Sequence, residues 1–191
     1  MRLLTLLSAS LLFPGLASAQ VRLGAAAGAG YHYGFDAPLV GAAGEVSWMP
    51  EGSGVRLGAR LFADYILLEE ASFPGEDVGG DVLGRQSSAF RWGTAAVVYL
   101  EGTAPVSIVP YLKGGFAWEE EWAHFPASDL GSTHPWAGAY TTSSSGMTAF
   151  TGMGLTWGVV YAEAAYGVAV REYARPNVGG HRIAAGIRAS L

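Results

Sequence analysis

The stretch VRLGARLFADYIL, Val55 to Leu67, divides at a period of two. Val55, Leu57, Ala59, Leu61, Ala63, Tyr65 and Leu67 fall on one side, and Arg56, Gly58, Arg60, Phe62 and Asp64 on the other. This alternation predicts an extended strand with two unlike faces. It leaves open which face meets water, because a soluble barrel turns its apolar side inward and a membrane barrel turns it outward.

The same period recurs along the chain. At the C-terminal end Ile183, Ala185, Ile187, Ala189 and Leu191 oppose Arg182, Ala184, Gly186, Arg188 and Ser190. Residues 21–31 set Val21, Leu23, Ala25, Ala27, Ala29 and Tyr31 against Arg22 and a row of Gly and Ala. Residues 40–48 set Val40, Ala42, Val46 and Trp48 against Glu45 and Ser47. Residues 89–100 put Arg91, Gly93 and Tyr99 opposite Phe90 and Trp92, and residues 107–118 put Tyr111, Lys113 and Gly115 opposite Phe116 and Trp118. Two further stretches, 146–157 and 159–171, alternate likewise, the second with Glu163, Gly167 and Arg171 on its polar side. The expectation is an all-β chain of eight strands.

Composition points away from an ordinary water-soluble surface. Of 191 residues 50% are hydrophobic and 28 are Gly, yet only 14% are charged, against roughly 25% in soluble domains. The net charge of -5 comes without any basic stripe, so a nucleic-acid partner is not expected. Met1 and Arg2, the apolar run Leu3 to Leu16, and Ala17-Ser18-Ala19 form the pattern of a cleaved export signal over residues 1–19. One domain over residues 20–191 is then expected. With no Cys, neither a disulfide framework nor a lipidated cysteine holds the exported chain.

The connections alternate in length. Those at 49–54, at 101–106 and near Gly158 are short, whereas 32–39, 68–88, 119–145 and 172–180 are longer. The longest is rich in Ser, Thr, Gly and Pro and reads as irregular. A transmembrane barrel has this asymmetry, with short periplasmic turns and long extracellular loops.

The basic residues choose the face. Arg2 aside, eight of the ten Lys and Arg (Arg22, Arg56, Arg60, Arg91, Lys113, Arg171, Arg182, Arg188) lie on the small, polar face, joined by Glu45, Asp64 and Glu163. An eight-stranded barrel has an interior just wide enough for side chains to fill. A Gly/Ala-rich face with a few long paired charges suits that space, and the bulky apolar face suits lipid. Eight cations against three acids leave a positive excess, which implies either trapped water and anions or inside assignments that fail near the strand ends. A packed lumen is expected, with a narrow anion-leaning channel as the alternative. Aromatics fit two interfacial girdles: Trp48 and Trp157 toward the short turns, and Tyr31, Tyr65, Phe90, Trp92, Phe116 and Trp118 toward the long loops.

Residues 146–170 are apolar enough to suggest a membrane helix. Gly146, Gly152, Gly154, Gly158 and Gly167 oppose it, each costing up to about 1 kcal/mol in a helix interior. Two paired strands account for the segment better.

The signal ending ASA, the segment PYLKGGFAW at 110–118, the alternating connections and a final amphipathic strand together resemble the small outer-membrane barrels of the OmpX and OmpA transmembrane-domain kind. The resemblance covers residues 20–191 and implies an eight-stranded antiparallel up-and-down β-barrel in the bacterial outer membrane. It implies outer-membrane lipid as its surroundings and the barrel-assembly machinery as a partner of the C-terminal strand. That family closes on an aromatic residue, whereas this chain closes on Leu191.

Chemistry offers less. His32, His124, His134 and His181 form no Ser/His/acid spacing on a rigid element, so an enzyme is not expected, a lipid-modifying one being the least favoured alternative. The runs Glu119-Glu120-Glu121 and Glu76-Asp77 with Asp81 read as solvated surface rather than a cation site. No cofactor or metal is expected. Trp122, Phe125, Trp136 and Tyr140, among Ser and Thr of the longest connection, suit contact with a host surface, a glycan or a phage. A structural or surface-interaction role is therefore expected, with a secreted lipocalin-like carrier as the rival that would need charges outside.

Overall fold

Antiparallel pairing of the alternating segments produces a closed ring. The computed structural model describes residues 20–68, 71–74, 82–101, 108–125, 140–172 and 179–190. Among these the regular elements are strands: β1 (Gln20–His32), β2 (Ala37–Met49), β3 (Val55–Ile66), β4 (Ala71–Pro74), β5 (Val82–Leu100), β6 (Ile108–Phe125), β7 (Tyr140–Trp157), β8 (Val160–Glu172) and β9 (Gly179–Ser190). All but β4 form one barrel, in the order β3-β2-β1-β9-β8-β7-β6-β5, closed by β3 against β5. Within the ring closure leaves each strand paired on both sides, a condition lipid imposes because unpaired backbone groups find no water there. No described helix is long and apolar enough to span a membrane, and the 146–170 segment is the β7–β8 hairpin.

The two faces separate as the alternation predicts. Leu61, Met153 and Ile187 are exposed on the outside by 66%, 64% and 64%, whereas Arg60 and Arg91 are 8% and 3% exposed inside. The lipocalin-like reading requires the reverse and falls here. Along β6 the outward row runs Ile108, Pro110, Leu112, Gly114, Phe116, Trp118, and its first charge is Glu120. At about 3.3 Å per residue and a tilt of about 40°, Ile108 to Trp118 spans roughly 25 Å along the barrel axis, the height of an apolar transmembrane band.

Local features serve that geometry. The two-residue turn between Trp157 and Val160 uses Gly158 at φ 58°, a conformation open to glycine at no steric cost. Pro110 lies just beyond the last β5–β6 pair, Tyr99 with Tyr111, so its missing N–H removes nothing from that ladder. Gly154 lets the Tyr111 ring lie directly on the β7 backbone, where a Cβ would collide with it.

Several boundaries depart from the sequence reading. The 32–39 connection is only the tight turn Tyr33 to Asp36, where the Tyr31 hydroxyl donates to Asp36 Oδ1 at 2.6 Å. The 119–145 connection is largely strand. β6 runs on to Phe125 and β7 begins at Tyr140, in register through Trp122 with Ser143 and Phe125 with Tyr140. β5 likewise starts at Val82, and β4 pairs with its first residues, Ala71 with Arg85 through Pro74 with Val82. Cross-strand pairing carries the ladder past the apolar band, where no lipid-facing row marks it in the sequence.

Candidate functional site

The interior is organised by strand β3. Its inward positions Arg56, Arg60 and Asp64 recur every fourth residue, one above another along the lumen. From the short-turn end, Arg56 Nε donates to Glu101 at 2.5 Å, and its Nη1 lies 3.2 Å from Ser47 Oγ and 4.0 Å from Glu45. Glu45 of β2 then accepts from Arg60 Nε at 3.0 Å, from Arg188 Nη2 at 2.7 Å and from the Tyr99 hydroxyl at 2.7 Å. Arg60 also reaches upward, its Nη1 donating to Glu163 of β8 at 3.1 Å. Glu163 accepts further from Lys113 Nζ at 2.5 Å, Tyr111 at 2.8 Å and Arg182 Nη2 at 2.9 Å. Arg182 continues to Asp64, which accepts from Arg91 at 3.1 Å, and Arg91 Nε ends the series on Glu119 at 2.9 Å.

Acid and arginine thus alternate from one rim to the other: Glu101, Arg56, Glu45, Arg60, Glu163, Arg182, Asp64, Arg91, Glu119. Arginine suits each link because its planar fork can serve two carboxylates at once. Aromatic rings fill the remaining space. The guanidinium carbons of Arg56 and Arg188 lie 3.9 and 4.7 Å from the Tyr99 ring centre, and that of Arg91 lies 4.8 and 4.9 Å from Phe62 and Phe150, which meet edge to face. A void of about 30 Å³ remains at mid-lumen.

The structure places the eleven sequence-derived interior charges unevenly. Glu45, Arg56, Arg60, Asp64, Arg91, Lys113, Glu163, Arg182 and Arg188 come together in this series. Arg22 sits at the short-turn rim, its side chain 41% exposed and 4.0 Å from Glu101. Arg171 pairs with Met147 beyond a shift of register between Met147 and Thr148. The expected ratio of eight cations to three acids is corrected by Glu101 and Glu119, which the sequence reading left in connections. Their signal was available, since each lies an even number of residues from inward members of its strand, Tyr99 and Lys113.

All eight girdle aromatics stand in outward rows. Trp48 pairs with Val21 and Leu57, and Trp157 with Ile108 and Val160, beside the short turns. At the other end Tyr65 pairs with Phe90 and Trp92 with Trp118, with Phe116 two residues before Trp118, and Tyr31 on β1 pairs with Pro38 and Ile183. Beyond this belt the Glu119-Glu120-Glu121 run is split by the pleat, Glu119 inside with Arg91 and Glu120 outside. Among the described residues no group of three or more His, Asp or Glu could hold a metal. Trp122, Phe125, Tyr140 and His124 belong to the β6–β7 extension, His32 is buried at the upper rim and His181 is exposed on β9. Trp136, His134, Glu76, Asp77, Asp81 and residues 1–19 and 191 lie outside the described residues.

No family model matches the sequence, and no curated protein matches it significantly. Among solved structures the chain is similar to a major outer membrane protein of Thermus thermophilus, at 12% identity and TM-score 0.61, over 90% of this chain and 100% of that one. The fold is that of a small outer-membrane β-barrel. The N-terminal β-barrel domain of Pseudomonas aeruginosa OprF also matches, at 16% identity and TM-score 0.46 over 91% and 100% of the two chains. Neisserial surface protein A matches at 14% identity and TM-score 0.45 over 90% and 98%. The short turns and the extended β5–β7 strands occupy opposite ends of the barrel.

Proposed function

We propose that this barrel is a closed membrane scaffold whose role is surface interaction, carried by the strands and connections that rise above the belt of Tyr65, Phe90, Trp92 and Trp118. The observation that supports this most directly is the combination of a lumen filled by ion pairs with a sheet, β4 to β7, that continues past the outward apolar band. A filled lumen does not pass solutes, so the length invested beyond the membrane has another use. Paired strands hold that extension in a fixed shape, and loops on a rigid scaffold are where binding residues collect. Trp122, Phe125 and Tyr140 are its aromatic candidates, and a host surface or glycan is the class of ligand they suit. Export, outer-membrane lipid and insertion through the C-terminal strand belong to the same reading.

Replacing residues 123–142 by a two-residue Asn-Gly turn tests it. The shortened barrel should still shift its gel mobility on boiling and resist carbonate extraction, while cells displaying it lose binding to glycan arrays that the full chain binds. Unchanged binding, or swelling of liposomes in small sugars by the full chain, would overturn the proposal.

A further inference from the structure

The ion-pair series does not balance. Among the described residues, six cations have side chains about nine-tenths buried or more: Arg56, Arg60, Arg91, Lys113, Arg182 and Arg188. The acids buried to that degree are Glu45, Asp64, Glu119 and Glu163. Glu101, 20% exposed at the rim, takes up the charge of Arg56. One positive charge remains without a counterpart among these groups, and a buried charge left so is strongly disfavoured.

The imbalance is local. The mid-lumen void of about 30 Å³ is lined by four of the cations, Arg60, Lys113, Arg182 and Arg188, but by only two acids, Asp64 and Glu163. Those two are shared: Glu163 already serves Lys113, Arg60 and Arg182, and Asp64 serves Arg182 and Arg91. Tyr161 adds a phenol to the lining. A void of this size is ample for one water-sized or slightly larger sphere, the requirement being about 10–15 Å³. It is too small for a nucleotide, a sugar or a lipid headgroup.

We propose that this cavity is a binding site for one monovalent, monoatomic anion of the halide class, chloride in the cell, which neutralises the surplus cation and completes the core of the barrel. Lys113 and Arg188 are its principal partners, because each shares its single carboxylate with at least one other cation. The site is independent of the surface role proposed above and depends only on the lumen.

Crystals of the full barrel grown in bromide, with data collected at the bromine absorption edge, test the assignment. An anomalous peak within contact of Lys113 and Arg188 is expected. A second measurement is the unfolding rate in lipid vesicles at matched ionic strength, in chloride against sulfate. A ligand that binds only the folded state slows unfolding by a factor that grows as one plus the ratio of its concentration to its dissociation constant, about tenfold at ninefold that constant. Lys113→Met removes the surplus charge and should abolish both the peak and the halide dependence. A cavity without bromide density, together with equal unfolding rates in the two salts, would overturn the proposal and leave water as its content.

Discussion

Arg60 and Glu163 stand 103 residues apart in sequence, on strands β3 and β8, and join across the lumen through Arg60 Nη1 and Glu163 Oε2 at 3.1 Å. The link ties together strands that are not neighbours in the ring. Because Arg60 also holds Glu45, it couples three strands at mid-lumen.

Arg60→Met should therefore destabilise the barrel by about 3–5 kcal/mol, the usual result of leaving buried charges without their partner. Guanidinium unfolding in lipid vesicles measures it. Arg60→Lys should recover only part of the loss, since an ammonium has no fork with which to reach Glu45 and Glu163 together. A methionine variant as stable as the parent would refute the role given to this residue.

Lys113 and Glu163 meet at 2.5 Å and should act as a unit. Glu163→Gln and Lys113→Met together should cost less than the sum of the single changes, with an interaction of about 0.5–3 kcal/mol in a double-mutant cycle. Strict additivity would show that the pair is not energetically joined.

Depth on the outer face is a separate matter. Leu61 lies near the middle of the outward row of β3 and Tyr65 near its end. Leu61→Arg should cost about 2–4 kcal/mol, and Tyr65→Arg about 0–1 in the charge term, if the band faces lipid. Equal costs in vesicles would place the membrane elsewhere.

Glycine spacing inside the wall gives another contrast. Gly154→Val drives a side chain into Tyr111, and overpacking of this kind costs about 1–3 kcal/mol. Gly44→Ala, whose added Cβ meets nothing within 4 Å, should change stability little. Tyrosine fluorescence during unfolding follows both variants.

Much of this was legible before any coordinates. Alternation in 55–67 and 182–191 carries the strands, and the clustering of Arg and Lys on the Gly/Ala side carries the inversion of the barrel, because both are properties of consecutive residues. The carbonyl and amide pairing that extends β6 and β7 beyond Trp118 was not legible, since outside lipid either face of a strand can be polar. Glu119 looked like part of a surface run for the same reason, until the pleat turned it toward Arg91. The shift of register that pairs Arg171 with Met147 is likewise a matter of backbone alignment between two strands.

By itself the sequence determined which side chains share a face, for a period of two is a local steric fact of the extended chain. Only the tertiary structure decided which acid meets which arginine, because that depends on stagger around a closed ring. Arg60 finds Glu163 through the accumulated register of strands far apart in the chain, and no short window of residues contains that information.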